Sequence, residues 1–222
     1  MRAFERAKLE GADGIELDVR LCASGEVVVF HDPGLARATD GRDPREVEAL
    51  PLAELSAVRL FGGPERAPRL AEVLTLCRER DMMLNVEIKY DVRDKVALAR
   101  AVARELSGYD GRLVISSFDP RLLWLVRAMG LRAPTALLTN EAQRYAMMCV
   151  RAFVRLPIAA GVHFERSQAL PHRIARLRRR GLFCGAWTVN DPAEARSLSA
   201  AGVNWLITDA PATMVEALSA AP

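Results

Sequence analysis

The sequence predicts an α/β fold, a (β/α)8 barrel that lacks its first strand. Short, β-rich apolar runs alternate with longer segments of helical period, which is the pattern of βα units around a parallel sheet. The chain opens with a helix that no strand precedes, and seven main strands accompany eight helices. This count is one strand short of a closed barrel. An open α/β sheet that begins with a helix is the alternative.

The predicted elements follow one another in regular order. The strands are Gly14–Arg20, Met83–Lys89, Arg112–Ser117, Ala133–Leu138, Gly161–Phe164, Leu182–Val189 and Asn204–Thr208. The helices are Arg2–Glu10, Leu70–Arg80, Asp94–Leu106, Arg121–Met129, Glu141–Arg155, Leu170–Arg180, Ala193–Ala201 and Ala212–Leu218.

Helix N-caps support these boundaries. Four polar residues stand where a cap is expected, namely Asp94, Asp119, Asn140 and Asp191. The first helix has none, because Met1 and Arg2 offer no side-chain acceptor for the first backbone donors. The missing cap and the missing strand together indicate a chain that starts part-way into a barrel.

A long insertion, residues 21–68, separates the first strand from the helix at Leu70. It exceeds an ordinary βα loop, and loops of this length are usually functional. It begins at the carboxyl end of the first strand, the face of a barrel where active sites are built. We expect a subdomain over the barrel mouth, within one domain spanning residues 1–222, that returns His31 toward the first strand.

Composition excludes several classes of function. The 222 residues carry 31 Lys and Arg against 28 Asp and Glu, and a net charge of +3 is too small to indicate nucleic acid or an anionic membrane as partner. The cysteines show no CxxC spacing, so neither a zinc site nor a disulfide framework is expected. No signal core or membrane-spanning segment is visible. We therefore expect a cytoplasmic protein.

Carboxylates gather at the predicted strand ends. Glu16 and Asp18 are two residues apart on a strand and so share one face. Another strand carries Glu87 and then Lys89, and the apolar run Val27–Phe30 ends at His31. Taken singly, each has an ordinary alternative. Glu16 and Asp18 suit a solvent-facing strand edge, Glu87 and Lys89 suit an exposed ion pair, and His31 suits a loop histidine. Their joint occurrence at strand ends favours a site.

This set of residues suits a phosphodiester substrate. Glu16, Asp18 and Glu87 offer the hard oxygen ligands that bind a divalent metal ion, Mg²⁺ or Ca²⁺. Lys89 can balance negative charge on the phosphoryl group. His31 can exchange a proton near neutral pH, although one histidine supplies only half of an acid–base pair.

Seven motifs, in order along nearly the whole chain, resemble those of the glycerophosphodiester phosphodiesterases. They are GADGIELDV at 11–19, VVFHD at 28–32, RLAEVL at 69–74, NVEIK at 85–89, SSF at 116–118, AWTVN at 186–190 and GVNWLITD at 202–209.

The resemblance implies a TIM barrel with an inserted subdomain. It also implies metal-dependent hydrolysis of glycerophosphodiesters, small molecules of lipid and glycerol metabolism, to an alcohol and glycerol 3-phosphate. By the same resemblance, Glu16, Asp18 and Glu87 are metal ligands, His31 is one of two acid–base histidines and Lys89 binds phosphate. Phe118 and Trp187 look like walls for the glycerol or the leaving group, with ordinary core aromatics as the alternative.

The sequence departs from the family pattern at its start. Members open with a strand ending in His-Arg-Gly and soon carry Glu-Asn-Thr, and neither motif is present here. His163 and His172 do not lie where the absent histidine belongs. We expect a family enzyme shortened at its amino terminus and impaired by that loss. A non-catalytic descendant that binds metal or phosphodiester, and a phospholipase D-like barrel phosphodiesterase, are the alternatives.

Overall fold

The structure is a computed structural model and describes residues 1–142, 150, 152–156 and 158–219. Within these residues eight strands form one curled sheet in the order β2-β1-β3-β4-β5-β6-β7-β8. The strands are β1 Gly14–Leu21, β2 Val27–Val29, β3 Met83–Ile88, β4 Leu113–Ser117, β5 Thr135–Thr139, β6 Ala159–Glu165, β7 Phe183–Trp187 and β8 Trp205–Leu206.

All seven predicted strands are present and pair in parallel from β1 and β3 through to β8. The eighth strand, β2, comes from the insertion and pairs antiparallel to the end of β1, Val19 facing Val29. It was predicted only as an apolar run. The α/β barrel class is thus confirmed, and the barrel is open on one side.

The opening lies between β1 and β8, which are not paired with each other in the described part of the chain. Residues of the first and last helices and of β1 and β8 line an open cavity of about 960 Å³ there. The prediction of a barrel one strand short therefore agrees with the sheet topology.

Helices cover the outside of the sheet. They are α1 Arg2–Leu9, α2 Leu52–Ala57, α3 Leu70–Glu79, α4 Lys95–Leu106, α5 Pro120–Ala128, α6 Pro171–Arg178, α7 Pro192–Ala201 and α8 Pro211–Ser219. Of these, α2 belongs to the insertion and was not predicted. The predicted helix Glu141–Arg155 falls largely outside the described residues. Among those described, no helix is long and apolar enough to cross a membrane.

Three predicted N-caps are confirmed by their hydrogen bonds. Asp94 accepts from two backbone amides of α4, Asp119 accepts from the first turn of α5, and Asp191 accepts from Ala193 N. The α1 helix has no side-chain cap, as expected. The predicted cap Asn140 precedes a segment that lies outside the description.

Successive side chains of each strand point alternately toward the helix layer and toward the barrel interior. Leu17, Leu84 and Val86 point outward and join one buried cluster with α3 and α4. The insertion has its own cluster, which includes Phe30, Leu35 and Leu55. Polar residues on the opposite strand faces are thereby directed into the barrel. The assignment of residues 1–222 to one domain stays a prediction.

At Gly14, β1 lies too close to β3 to leave room for a side chain. A Cβ atom at this position would lie 2.4 Å from the Met83 carbonyl oxygen, so no larger residue fits without moving the strand. The close contact starts the register in which Gly14 faces Met83 and Asp18 faces Glu87. The motif glycine therefore serves the alignment of the acidic residues further along both strands.

Candidate active site

Three carboxylates converge toward the carboxyl ends of β1 and β3. Asp18 is the register partner of Glu87, and Glu16 lies two residues earlier on the same face of β1. One carboxylate oxygen from each of the three residues lies within 4.8 Å of the others. The structure thus brings together the residues predicted from sequence as a ligand set.

Lys89 lies among these carboxylates. Its Nζ donates to Asp18 Oδ1 at 3.2 Å and is 3.1 Å from Glu87 Oε1. The contact with Glu87 is an ion pair without hydrogen-bond alignment, so Glu87 Oε1 is buried with no hydrogen bond among the described groups. A buried carboxylate oxygen in this state has a lone pair to offer to a cation.

Burial and mutual repulsion shift the titration of the cluster. Burial, then the charges of Asp18 and Glu87, raise the pKa of Glu16 well above its ordinary value. Burial and Asp18 likewise raise the pKa of Glu87 to about 7. Burial alone would lower the pKa of Lys89, but its attraction to Glu87 and Asp18 outweighs this effect and the pKa is raised. The raised pKa values show that Lys89 alone does not offset the cost of ionising all three acids together in this buried place.

The donor set fits a hard divalent cation. All three side chains are carboxylates, and their oxygens are close enough to share one ion. Glu87 Oε1 accepts no hydrogen bond from the residues that the structure describes. Hard oxygen ligands of this kind suit Mg²⁺ and Ca²⁺ rather than softer metals.

The insertion returns His31 to this end of the barrel. Phe30 N donates to Asp18 O at 3.0 Å, which fixes the residue before His31 against the acidic strand. The His31 side chain is 61% exposed, so its ring is accessible to a ligand from solvent. The backbone hydrogen bond thus places the residue before His31 beside the strand of Asp18, and the role of His31 stays a prediction.

Asp32 and Arg37 orient the imidazole. His31 Nδ1 lies 2.6 Å from Asp32 Oδ1, and Arg37 holds the same carboxylate through Nε and Nη2. Arg37, followed by the histidine, lowers the pKa of Asp32 to about 2 despite partial burial. Because Asp32 is then ionised, His31 Nδ1 donates to it and Nε2 is the nitrogen left for a substrate.

Aromatic rings line a later part of the barrel mouth. Phe118 follows β4 and Trp187 ends β7, and their rings meet edge to face with centroids 5.6 Å apart. Tyr90, directly after Lys89, contacts Phe118 in the same manner at 5.8 Å. Phe118 is buried and Trp187 is half-buried. The two predicted wall residues therefore form one aromatic cluster, which Tyr90 connects to the strand of Lys89.

The other two histidines, His163 and His172, take no part in the acidic cluster. His163 is fully buried and contacts the rings of both Phe183 and Trp205, which stack on each other. His172 is exposed on α6. Burial lowers the pKa of His163 to about 4. Its close neighbour is Gly185, where a Cβ atom would lie 2.4 Å from the imidazole.

Sequence reasoning gave no role to Asp32 and Arg37, which hold the His31 ring, or to the buried Arg20. Arg20 shares the strand face of Glu16 and Asp18, and that two-residue period was a usable signal. The pairing of Arg37 with Asp32 had no such signal, because it depends on the path of the insertion.

A second cavity, of about 950 Å³, lies at the amino-terminal end of the strands. Met83, Arg112 and Phe183 are among the residues that line it, and none of the predicted site residues is. Among the predicted site residues, Glu16 alone lines the other cavity, the one between β1 and β8. The chemistry-bearing side chains therefore mark the site better than cavity volume does.

Comparison with known proteins decides the family. The model of the glycerophosphoryl diester phosphodiesterase family matches residues 1–213. The chain belongs to this family. A curated relative from Caldanaerobacter subterraneus subsp. tengcongensis, named glycerophosphodiester phosphodiesterase, is 30% identical over 96% of this chain and 88% of its own length.

Solved structures agree with this family fold. A glycerophosphodiester phosphodiesterase from Thermotoga maritima is 29% identical, with a TM-score of 0.78 over 97% of this chain and 89% of that one. A phosphodiesterase from Oleispira antarctica, solved with the product sn-glycerol-3-phosphate, has a TM-score of 0.83 at 23% identity over 98% of this chain and 89% of its own. The second likeness shows the fold alone. The catalytic, metal-binding and substrate-binding roles assigned to individual residues of this chain stay predictions.

Proposed function

We propose that the chain hydrolyses glycerophosphodiesters to an alcohol and glycerol 3-phosphate in a reaction that depends on a divalent cation. The observation that carries this proposal is the convergence of Glu16, Asp18 and Glu87 within 4.8 Å in a member of this family. His31 and Lys89 lie at the same end of the barrel and supply the remaining chemistry.

Glu16, Asp18 and Glu87 would hold the cation. A divalent ion bound there supplies charge that polarises a phosphoryl oxygen, and either Mg²⁺ or Ca²⁺ is chemically suitable. A cation would favour the ionised forms of Glu16 and Glu87, whose pKa values are raised without it, and would offset their repulsion of an anionic substrate.

Lys89 contributes a fixed positive charge. In this structure its ammonium group contacts Asp18 and Glu87, the same carboxylates that would hold a cation. Its ammonium group can also contact a phosphoryl oxygen, where negative charge grows during hydrolysis. Lys89 is buried and restrained by its neighbours, so little ordering remains to be done when substrate binds.

His31 transfers a proton through Nε2. The ionised Asp32 keeps Nδ1–H in place, and this fixes both the tautomer and the orientation of the ring. In its protonated form His31 can donate to the oxygen of the leaving group, and in its neutral form it can accept from the attacking hydroxyl.

The aromatic cluster of Phe118 and Trp187 would bind the apolar faces of the glycerol or the leaving alcohol. Their edge-to-face contact makes a rigid surface that loses little side-chain entropy on binding. We propose a small-molecule substrate, supported by the glycerol 3-phosphate complex of the Oleispira antarctica protein. The cytoplasmic location remains a prediction.

Turnover by these 222 residues is expected to be slow. The chain has three histidines. His163 is enclosed by aromatic rings and His172 lies on the surface of α6, so neither pairs with His31. Loss of one acid–base partner commonly lowers the rate by about 10²- to 10⁴-fold.

The test is the identity of the bond that is cleaved. Purified protein is incubated with glycerophosphocholine and Mg²⁺ or Ca²⁺, and the products are separated. Choline with glycerol 3-phosphate supports the proposal, whereas phosphocholine with glycerol contradicts it. Release of choline from lysophosphatidylcholine in preference to glycerophosphocholine would support the phospholipase D-like alternative.

A further inference from the structure

Arg20 is a fully buried arginine at the same end of the barrel. It lies on β1 two residues after Asp18 and on the same strand face, and its side chain is 0% exposed. A guanidinium is always charged in proteins, so burial is tolerated only when its donors meet acceptors. The partners of Arg20 therefore show what this charge is used for.

Those partners belong to two separate segments, the insertion and the loop after β3. The Nε–H and an Nη2–H of Arg20 donate to the His31 carbonyl oxygen at 3.1 and 2.9 Å. Nη2 also lies 2.7 and 2.8 Å from the two carboxylate oxygens of Asp91, and Nη1 donates to the Asp91 carbonyl at 3.2 Å. Glu48 adds a longer ion pair at 3.8 Å.

We propose that Arg20 is a positioning residue for His31. The inference rests on the role given to His31 in the proposed function. The His31 ring is largely exposed, and the side chain that holds it within the described part of the chain is the adjacent Asp32, so its location depends on where its backbone lies. The backbone is held by the two hydrogen bonds from Arg20, which arrive in the planar geometry of the guanidinium.

Asp91 links Arg20 to a second strand at the end of the barrel that carries the acidic cluster. It follows β3 closely, the strand of Glu87 that runs on to Lys89. Arg20 thus ties the loop of His31 to both strands that carry the acidic cluster. A lysine could supply the charge, but its compact ammonium group lacks the planar fork of donors with which Arg20 reaches His31 O and Asp91 at the same time.

Comparison of kcat with folding stability in Arg20 variants distinguishes a role in positioning His31 from a role in stability alone. In Arg20→Met we expect kcat to fall by about 10²-fold with KM changing far less, because a misplacement of about 1 Å can cost this much. Arg20→Lys should fold more stably than Arg20→Met and yet keep the low kcat. Asp91→Asn, which weakens the same anchor, should lower kcat in the same direction.

Arg112→Met is the matched control. Arg112 also donates to a carbonyl and a carboxylate of one aspartate, Asp81, but at the opposite end of the strands. We expect its kcat to stay at the wild-type value. Full activity in Arg20→Lys, or equal losses in Arg20→Met and Arg112→Met, would overturn the inference.

A measurement without turnover keeps the inference separate from the proposed function. The ring resonances of the three histidines are assigned by nuclear magnetic resonance with His31→Gln and His172→Gln variants. Arg20→Lys should move or broaden the His31 signals and leave those of His163 and His172 in place. Unchanged His31 signals would refute positioning by Arg20, whereas shifted signals in a protein without hydrolysis would refute only the proposed function.

Discussion

Lys89 Nζ lies 3.2 Å from Asp18 Oδ1, in the midst of the carboxylates that form the candidate cation site. This contact joins β1 to the end of β3 and neutralises part of the acidic cluster. We therefore expect Lys89 to stabilise the metal-free barrel and to lie close to a substrate phosphoryl group once a cation is bound. Both consequences can be measured.

Replacing Lys89 by Met should destabilise the metal-free protein by about 3 kcal/mol, because removal of one partner of a buried ion pair leaves the other charge uncompensated. Urea unfolding in the presence of EDTA measures this change. Mg²⁺ should recover part of the loss by neutralising the same carboxylates. Lys8→Met, on α1, is the control. Equal stability of Lys89→Met and wild type would show that the ion pair contributes nothing.

Replacing Glu16 by Gln should have opposite effects with and without cation. In EDTA at neutral pH the variant should unfold at higher urea concentration than wild type, because burial and the charges of Asp18 and Glu87 disfavour an ionised Glu16. In saturating Mg²⁺ the order should reverse, since binding to the folded state stabilises wild type more. Glu5→Gln, on the exposed side of α1, should show neither change. The same order in both buffers would argue against Glu16 as a ligand.

Replacing Asp32 by Asn should reduce kcat more than it reduces substrate affinity. The change removes the carboxylate that holds His31 Nδ1–H and substitutes an amide that orients the ring less strongly. His31→Gln should reduce kcat by about 10²- to 10⁴-fold, and the double variant should be no slower than His31→Gln. Additive losses in the double variant would mean that Asp32 acts independently of His31.

His163 should make stability depend on pH. Its folded pKa of about 4 lies below the ordinary histidine value of 6.5, so the unfolded chain binds more protons between these values. The stability from keeping His163 neutral is fully present above pH 6.5 and is lost as pH falls toward 4, in total about 3 kcal/mol. Urea unfolding at pH 7 and pH 5 should show a smaller decrease for His163→Leu than for wild type. His172→Gln should behave like wild type.

The carboxylate site could be predicted from sequence because it depends on local periodicity and on a general property of parallel sheets. Glu16 and Asp18 share a strand face, and Glu87 ends a neighbouring strand, so all three meet at one edge. The seven parallel strands followed from the same patterns. These features need no knowledge of how distant loops fold.

The contacts made by the insertion could not be predicted in this way. The antiparallel pairing of β2, and the bonds of Arg20 to His31 and Asp91, join residues that only the folded insertion brings together. The enclosure of His163 likewise depends on Gly185 of the next strand, which leaves room for the ring. Long-range packing, rather than local preference, decides these positions.

The most direct measurement is the rate of glycerol 3-phosphate release from glycerophosphocholine as a function of free Mg²⁺ or Ca²⁺. The account predicts release that is slow, saturates with the cation, and stops in EDTA. Glu87→Gln should require a much higher cation concentration, whereas Asp81→Asn, about 20 Å away at the other end of β3, should match wild type. Release that persists unchanged in EDTA, or that is equally sensitive to cation in Glu87→Gln and wild type, would contradict the account.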